Sequence, residues 1–195
     1  MLPEPLAVTL LVIQALDALD VPYLIGGSLA SAIHGVARAT ADTDLVADLR
    51  IEHAQPLAQA LAGAFYVDVE SIRDAIRRHS SFNVIHLETT FKVDVFVRKP
   101  RPFDQAQFER RTAQVIAADP ECTVYVASSE DTALAKLEWF RMGGQVSERQ
   151  WRDVLGVLRV QGERLDRDYL HRWAAALGVS DLLEKALRQA EQEAG

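Results

Sequence analysis

The chain has 195 residues, of which 49% are hydrophobic and 25% are charged, a composition typical of one globular domain or of a domain with a small appendage. Its apolar runs are shorter than the roughly 20 residues of a membrane-spanning helix, and a single cysteine, Cys122, argues against a disulfide framework or a thiolate metal cluster. The amino-terminal segment lacks the features of a signal peptide, so we expect a cytoplasmic protein without a membrane partner.

The net charge of −7 is unevenly distributed along the chain. Residues 1–70 contain nine acidic residues and two arginines, whereas the acidic and basic residues of the remainder balance. This distribution argues against a protein coated with basic residues for gripping nucleic acid. An acidic first third favours a site for a cation, although a solvated acidic surface would produce the same counts.

The spacing of apolar residues predicts alternating helices and strands over the first 128 residues. Helices are expected at 4–19, 28–34, 53–63 and 70–78, and strands at 21–25, 43–49, 82–89, 91–97, 112–118 and 122–128. Ser28, which follows Gly26 and Gly27, is a good N-cap for the second helix. The strands at 82–89 and 91–97 are close enough to form a hairpin. The last two strands could form another, with Asp119-Pro120 as its turn.

After Ser128 the pattern is entirely helical. Four helices are predicted, at 129–142, 148–161, 167–177 and 181–193. Ser147 and Gln150 have the spacing of a capping box at the start of the second of these helices. We therefore predict an α/β (α+β) protein, with a core at 1–128 that contains a short mixed sheet flanked by helices, and a C-terminal helical bundle at 129–195.

Two aspartates interrupt the predicted strand that follows the Gly-Gly-Ser turn. Asp42 and Asp44 are two residues apart, so their side chains would project from the same face of a strand. Two like charges at that distance raise each other's pKa unless a cation compensates them. Asp94 lies in the later strand on the face it shares with Lys92 and Phe96. Three carboxylates from neighbouring strands could hold Mg²⁺, or two metal ions of the kind that assist a displacement at phosphorus.

The Gly26-Gly27-Ser28 turn lies where a strand passes into a helix. Backbone amides at such a turn point outward and can bind an anion, and glycines allow a phosphate to approach the backbone closely. A phosphate site followed thirteen residues later by a carboxylate pair describes a site for a nucleoside triphosphate with magnesium. Taken singly, the Gly-Gly-Ser sequence is most often only a turn, and an Asp-x-Asp sequence is most often a solvated edge.

The order of these motifs resembles that of the DNA polymerase β-type nucleotidyltransferase superfamily. The resemblance rests on Gly27-Ser28, thirteen intervening residues, Asp42-Thr43-Asp44, and Asp94 in "KVDVF". Thr43 stands where the superfamily usually has an apolar residue. The run "HGVARATADTDLV" further resembles the minimal AbiEii-type enzymes, which include toxins of toxin–antitoxin systems, and in "ALAKLEWFRMGGQVSERQWRDVL" the matching residues are Lys136 and Asp153.

The resemblance implies a fold and a reaction. An acceptor hydroxyl would attack the α-phosphorus of a nucleoside triphosphate, and pyrophosphate would leave, with Mg²⁺ (or Mn²⁺) as the cofactor. Asp42, Asp44 and Asp94 would be the catalytic metal ligands, or Asp94 would accept the proton of the hydroxyl. Gly26, Gly27 and Ser28 would bind the nucleotide's phosphates. The acceptor could be a tRNA, a protein or a small molecule, and a cognate antitoxin would be a partner.

Three further residues have both a functional and a structural interpretation. Arg38 could neutralise phosphate, or could instead lower the pKa of Asp42 or pair with Asp48. Lys136 could contact the triphosphate, or could be an ordinary surface lysine. Asp153 could meet the substrate or steady Lys136, or could pair with Arg149, four residues earlier on its helix.

A cluster of basic residues comprises Arg98, Lys99, Arg101, Arg110 and Arg111. It could steer a nucleic-acid acceptor towards the acidic centre, or could simply be a solvated basic surface. Two functions compete with nucleotidyl transfer. One is a catalytically silent nucleotide-binding or interaction module, against which the presence of all three carboxylates argues. The other is a metal-dependent phosphodiesterase, for which the sequence offers no separate water-activating base.

Overall fold

The structure is a computed structural model that describes residues 3–37, 42–118 and 121–194. The chain forms two compact units. The first comprises Met1–Gly26 and Thr40–Val126 and contains a β-sheet, and the second comprises Gly27–Ala39 and Ala127–Gly195 and is helical.

The elements follow the chain in this order: α1 (Glu4–Asp17), β1 (Tyr23–Ile25), α2 (Gly27–His34), β2 (Asp42–Ala47), a 3₁₀ helix (Ile51–His53), α3 (Ala54–Leu61), β3 (Phe65–Tyr66), α4 (Val69–Arg78), β4 (Ser81–His86), β5 (Lys92–Val97), α5 (Pro102–Glu109), β6 (Thr112–Ala118), β7 (Glu121–Val126), α6 (Ser129–Met142), α7 (Glu148–Gln161), a second 3₁₀ helix (Gly162–Arg164), α8 (Arg167–Ala176) and α9 (Ser180–Ala194). Among these described elements, no helix is both long and apolar enough to cross a membrane.

Seven strands of the first unit, counted over the described residues, form one mixed sheet in the order β3-β4-β5-β2-β1-β7-β6. The strands β2 and β5 pair in parallel near its centre over six residues each. Their neighbours β1 and β4 pair with them in antiparallel fashion. The two predicted hairpins are both present, as β4–β5 and β6–β7.

Alternating burial along β2 and β5 gives this part of the sheet two different faces. One face carries small and branched apolar residues that are fully or almost fully buried, among them Leu45, Ala47, Val93 and Val95. Helices α1 and α4 contact these strands. Because the side-chain period of a strand is two, the residues between these positions project from the opposite face, where burial is only partial.

The helical unit is built from α2 and from α6–α9, and α2 packs on α6 and α7. Polar side chains fix its helix ends, because Ser128, Ser147 and Asp166 each accept a backbone N–H from the first turn of the helix that follows. Asp131 is fully buried and accepts hydrogen bonds from the Ser128 hydroxyl (2.8 Å) and the Tyr169 hydroxyl (2.7 Å), which ties α6 to α8.

The predicted α/β fold class is confirmed, and the strand and helix assignments hold with shifts of a few residues at their ends. Four described elements were not predicted, namely the two-residue strand β3, the helix α5 and the two 3₁₀ helices. The prediction that Ser28 is an N-cap is wrong, because α2 begins at Gly27 and Ser28 lies within its first turn. The structure also groups α2 with the C-terminal helices, whereas the predicted division placed it in the core at 1–128. The reason is that α2 packs on α6 and α7.

Gly35 lies where α2 ends against α7 and leaves no room for a side chain. A Cβ atom at this position would lie 2.8 Å from the Val157 nitrogen and 2.9 Å from the Gly156 carbonyl carbon, both backbone atoms. We expect Gly35→Ala to lower the free energy of unfolding by roughly 1–3 kcal/mol, because the helices must separate to relieve the overlap. At Gly63 a Cβ meets nothing within 4 Å, so Gly63→Ala is the control, with an expected change within about 0.5 kcal/mol. Denaturant unfolding measures both, and equal effects would contradict the proposed overlap.

His34 is the buried C-terminal residue of α2, and its Nε2 lies 2.6 Å from the Ala127 carbonyl oxygen. Burial lowers the pKa of His34 below its ordinary 6.5, although the Ala127 carbonyl and the charge of Glu130 oppose the shift. As the pH falls, His34 is therefore protonated in the unfolded chain before it is protonated in the folded protein. The folded state loses stability as the pH falls through the pKa that His34 has in the unfolded chain. We expect the wild type to lose more stability than His34→Gln between about pH 7.5 and about pH 5.5, as measured by denaturant unfolding. Parallel losses would show that the pKa of His34 does not differ between the folded and unfolded states.

Candidate active site

The parallel pairing of β2 with β5 brings the three predicted carboxylates to one face of the sheet. In this register Asp44 lies directly opposite Asp94, and Asp42 lies directly opposite Lys92. Neighbouring strands are about 4.8 Å apart, and side chains at paired positions of parallel strands project from the same face. Asp42, Asp44, Lys92 and Asp94 therefore form a compact group, which we call the carboxylate face.

The carboxylate face is half-buried, and the apolar burial of the opposite face fixes the register that places the aspartates on it. Thr43, between the two aspartates, is fully buried on the apolar side, and its hydroxyl has no hydrogen-bond partner. A slip of one residue in β2 would bury both aspartates in the core and expose Leu45. Thr43 therefore lies on the face of β2 opposite Asp42 and Asp44.

Lys92 is a member of the carboxylate face to which the sequence analysis assigned no role. Its Nζ lies 2.7 Å from Oδ2 of Asp94, with side-chain exposures of 39% for Lys92 and 16% for Asp94. The sequence does indicate its membership, because Lys92 lies two residues before Asp94 in "KVDVF" and the two side chains therefore share one face of the strand. The hydrogen bond with Asp94 raises the pKa of Lys92, and the charges of Asp94, Asp42 and Asp44 raise it further against the opposing effect of burial.

The donor atoms of the carboxylate face suit a hard divalent cation. Mg²⁺ prefers oxygen ligands and is commonly bound by one or two carboxylates together with substrate phosphates. Oδ1 of Asp94 is buried and has no hydrogen-bond partner, so one acceptor on this face is left unsatisfied. With the side chains as they stand, no three His, Cys, Asp or Glu residues within the described ranges form a group that could hold a metal ion. The residue types on the carboxylate face fit the ion, although the described side chains do not gather three of them around one point.

The Gly-Gly-Ser turn connects directly to this part of the sheet. The backbone N–H of Gly26 donates to the Asp44 carbonyl (2.9 Å), which anchors the end of β1 beside the carboxylate face. A Cβ at Gly26 would make only ordinary contacts, so space does not require a glycine there. Gly27 does require one, because its φ of 54° lies in the left-handed region. Ser28 follows in the first turn of α2, where the prediction of phosphate binding stays a prediction.

Lys136 and Asp153 meet inside the helical unit. Lys136 of α6 donates from Nζ to Oδ2 of Asp153 in α7 at 2.8 Å, and the two residues are only 7% and 9% exposed. The interpretation of Lys136 as a surface lysine is therefore wrong, and the partner found for Asp153 is Lys136 rather than Arg149. The alternative that Asp153 steadies Lys136 describes this geometry.

The remaining predicted residues have different outcomes. Arg38 lies outside the described residues, and Asp48, one of its predicted partners, accepts instead from Arg98 (3.0 Å). In the basic cluster, Arg111 stacks on Phe108 and Arg98 lies over the same ring. Arg98 and Arg111 thus hold α5 in place, which favours a structural role over nucleic-acid steering for these two residues.

The buried Lys136–Asp153 pair leads to a stability prediction. Asp153→Leu or Lys136→Met alone should lower the free energy of unfolding by about 3–5 kcal/mol, because each removes the charged partner that the other buried residue has at 2.8 Å. The double variant Lys136→Met/Asp153→Leu should recover most of that loss, since both charges are gone. Denaturant unfolding of the four proteins forms a double-mutant cycle. Additive losses would show that the pair does not couple α6 to α7.

Comparisons with known proteins agree with the architecture. No protein-family model matches the sequence, and no curated protein matches it significantly. Among solved structures, an antigenic nucleotidyltransferase-like protein from Paracoccidioides brasiliensis is similar, with a TM-score of 0.51 and 18% identity, covering 92% of this chain and 91% of that one. The antibiotic-resistance factor ANT(2'')-Ia is similar at a TM-score of 0.51 and 15% identity, covering 87% and 93%. At these identities the likeness establishes the fold, and this chain has a nucleotidyltransferase-like fold.

Proposed function

We propose that this protein is a magnesium-dependent nucleotidyltransferase, which moves a nucleoside monophosphate from a nucleoside triphosphate to an acceptor hydroxyl and releases pyrophosphate. The observation that carries the proposal is the β2–β5 register, which places Asp44 opposite Asp94 with Asp42 two residues away on the same face. The likeness in fold to a nucleotidyltransferase-like protein supports the same reaction class.

The three carboxylates are the residues of this chain that would hold Mg²⁺. When bound, Mg²⁺ would neutralise negative charge on the phosphates and the reacting oxygens. The sheet's contribution is positioning, because two adjacent strands paired over six residues hold the carboxylates in a fixed relation before substrate arrives. Oxygen donors on a rigid sheet need little reorganisation during the reaction, which is the physical basis of electrostatic stabilisation.

Nucleotidyl transfer requires a group that accepts the hydroxyl proton as well as groups that neutralise the phosphate charge. In the proposed transfer, the acceptor oxygen forms a bond to the α-phosphorus while the bond from that phosphorus to the α,β-bridging oxygen breaks. The leaving pyrophosphate takes the electron pair. Asp94 would accept the hydroxyl proton in the alternative in which it is not itself a metal ligand.

The phosphates of the donor are assigned to the Gly-Gly-Ser turn and its neighbours. Gly27 and Ser28 open α2, whose first backbone N–H groups have no partners within the helix and suit an anion. Arg38 would add a positive charge to the triphosphate site. Lys136 and Asp153 would support the nucleotide site by holding α6 against α7, since each is bonded to the other.

The acceptor and the biological setting are proposals that rest on the resemblance alone. A tRNA, a protein side chain and a small molecule each present a hydroxyl that this chemistry could use. The pairing of Arg98 with Asp48 and the stacking of Arg111 on Phe108 engage two residues of the basic cluster. A toxin role with a cognate antitoxin stays a prediction of the AbiEii-type resemblance.

The test is a transfer assay with each α-labelled nucleoside triphosphate, Mg²⁺, and total RNA or cell lysate as the source of acceptor. We expect label from one triphosphate to enter a discrete product with release of pyrophosphate. Asp42→Asn and Asp44→Asn should each reduce the rate at least about a hundredfold, because each removes a charge from the site where phosphate charge must be neutralised.

Asp74→Asn is the matched control, since this exposed carboxylate lies on α4 and forms only surface ion pairs with Arg77 and Arg78. Its transfer rate should equal that of the wild type. Cleaved polynucleotide without labelled product would identify a phosphodiesterase instead. Magnesium-dependent triphosphate binding without transfer to any acceptor would favour the silent nucleotide-binding module.

A further inference from the structure

We propose that Lys92 is an internal counter-ion of the carboxylate face, which neutralises the aspartates when no divalent cation is bound and yields its place when one binds. The inference rests on the proposed function in one respect, namely that the carboxylate face binds a divalent cation. It adds a positioning residue that determines how tightly the cation is held and how the empty face remains folded.

The position of Lys92 on β5 brings its ammonium group next to the aspartates. Lys92 precedes Asp94 by two residues on β5 and is the direct register partner of Asp42 on β2, so its side chain rises from among the aspartates. Its Nζ is 2.7 Å from Oδ2 of Asp94, the length of a charge-assisted hydrogen bond. A cation bound to Asp94 through that oxygen and the Lys92 ammonium cannot occupy the same position.

The positive charge of Lys92 reduces the repulsion among the three carboxylates. Three carboxylates on one half-buried face repel one another, and the repulsion is stronger there than in bulk water because the surroundings are less polarisable. A positive group within the face reduces this repulsion in the folded state. Lys92 supplies such a charge from within the strand itself, so the face does not depend on a metal ion in order to fold.

The lysine can also leave at small cost. Its side chain is 39% exposed, and a flexible four-carbon stem allows the ammonium group to move into solvent. Partly exposed ion pairs contribute little net free energy, because screening and the entropy of holding a long side chain offset the attraction. An incoming Mg²⁺ carries twice the charge and would displace the ammonium group from the carboxylates.

Lys92 satisfies only part of its partner. It engages Oδ2 of Asp94, while Oδ1 of the same carboxylate remains buried without a hydrogen bond. The carboxylate of Asp94 therefore keeps one unsatisfied oxygen, which a cation can bind once the side chains move. This arrangement predicts that Lys92 weakens metal binding without preventing it.

The experiment measures Mn²⁺ binding by electron paramagnetic resonance, which reports free Mn²⁺ directly and does not depend on catalysis. We compare the wild type with Lys92→Gln and Lys92→Met, which remove the charge, and with Lys92→Arg, which retains it. Lys99→Gln is the matched control, since it makes the same charge change at a lysine outside the β5 strand. Circular dichroism verifies that each variant is folded.

We expect Lys92→Gln and Lys92→Met to bind Mn²⁺ between about 1.4-fold and fivefold more tightly than the wild type, the range for one partly exposed ion pair. Lys92→Arg and Lys99→Gln should bind as the wild type does. Without metal, the two neutral variants should melt at a lower temperature than the wild type, and added Mg²⁺ should raise their melting temperature by more.

The outcomes separate this inference from the proposed function. Equal or weaker Mn²⁺ binding by both neutral variants would overturn the role of Lys92. If Asp42→Asn and Asp44→Asn nevertheless lose Mn²⁺ binding, the proposed metal site would still stand. Binding by the neutral variants alone would show that the cation does not displace Lys92 in the wild type, and would overturn the inference. Failure of every protein to bind Mn²⁺, with and without a nucleoside triphosphate, would overturn both the inference and the proposed metal site.

Discussion

The pairing of β2 with β5 imposes the constraint on which the rest of this structure depends. It forces Asp42, Asp44 and Asp94 onto one face of a sheet whose other face is a closed apolar core. The register cannot slip to relieve the repulsion, because a shift of one residue would exchange Leu45 and its neighbours with the aspartates. Negative charge is therefore concentrated on one face by the same apolar packing that stabilises the sheet.

Buried charges are compensated differently in the helical unit and in the sheet unit. In the helical unit, Lys136 and Asp153 are both almost fully buried and compensate each other at 2.8 Å. In the sheet unit, Lys92 pairs with Asp94 on the face that also carries Asp42 and Asp44, and Oδ1 of Asp94 is buried without a hydrogen bond. A matched ion pair joins two helices, whereas an excess of carboxylate oxygen on a half-buried face is the pattern of a site that binds a cation.

The sequence analysis succeeded where a local period decides the structure. Two-residue alternation placed Asp42 and Asp44 on one face, and the same alternation placed Asp94 beside Lys92. It assigned Lys136 and Asp153 less well, because each lies on its own helix and nothing in the local pattern reveals that α6 and α7 bring them together. The N-cap assigned to Ser28 was wrong, because α2 already begins at Gly27 and Ser28 lies within its first turn.

The sequence by itself determined the fold class, the positions of most strands and helices, and the set of acidic residues, because apolar periodicity and turn residues act over short stretches of chain. Only the tertiary structure decided that Asp44 lies opposite Asp94, that Lys92 enters the carboxylate face, that α2 packs with the C-terminal helices and that Lys136 binds Asp153. Each of these depends on which distant segments pair, and strand register and helix packing are chosen by the burial of the whole core rather than by any local signal.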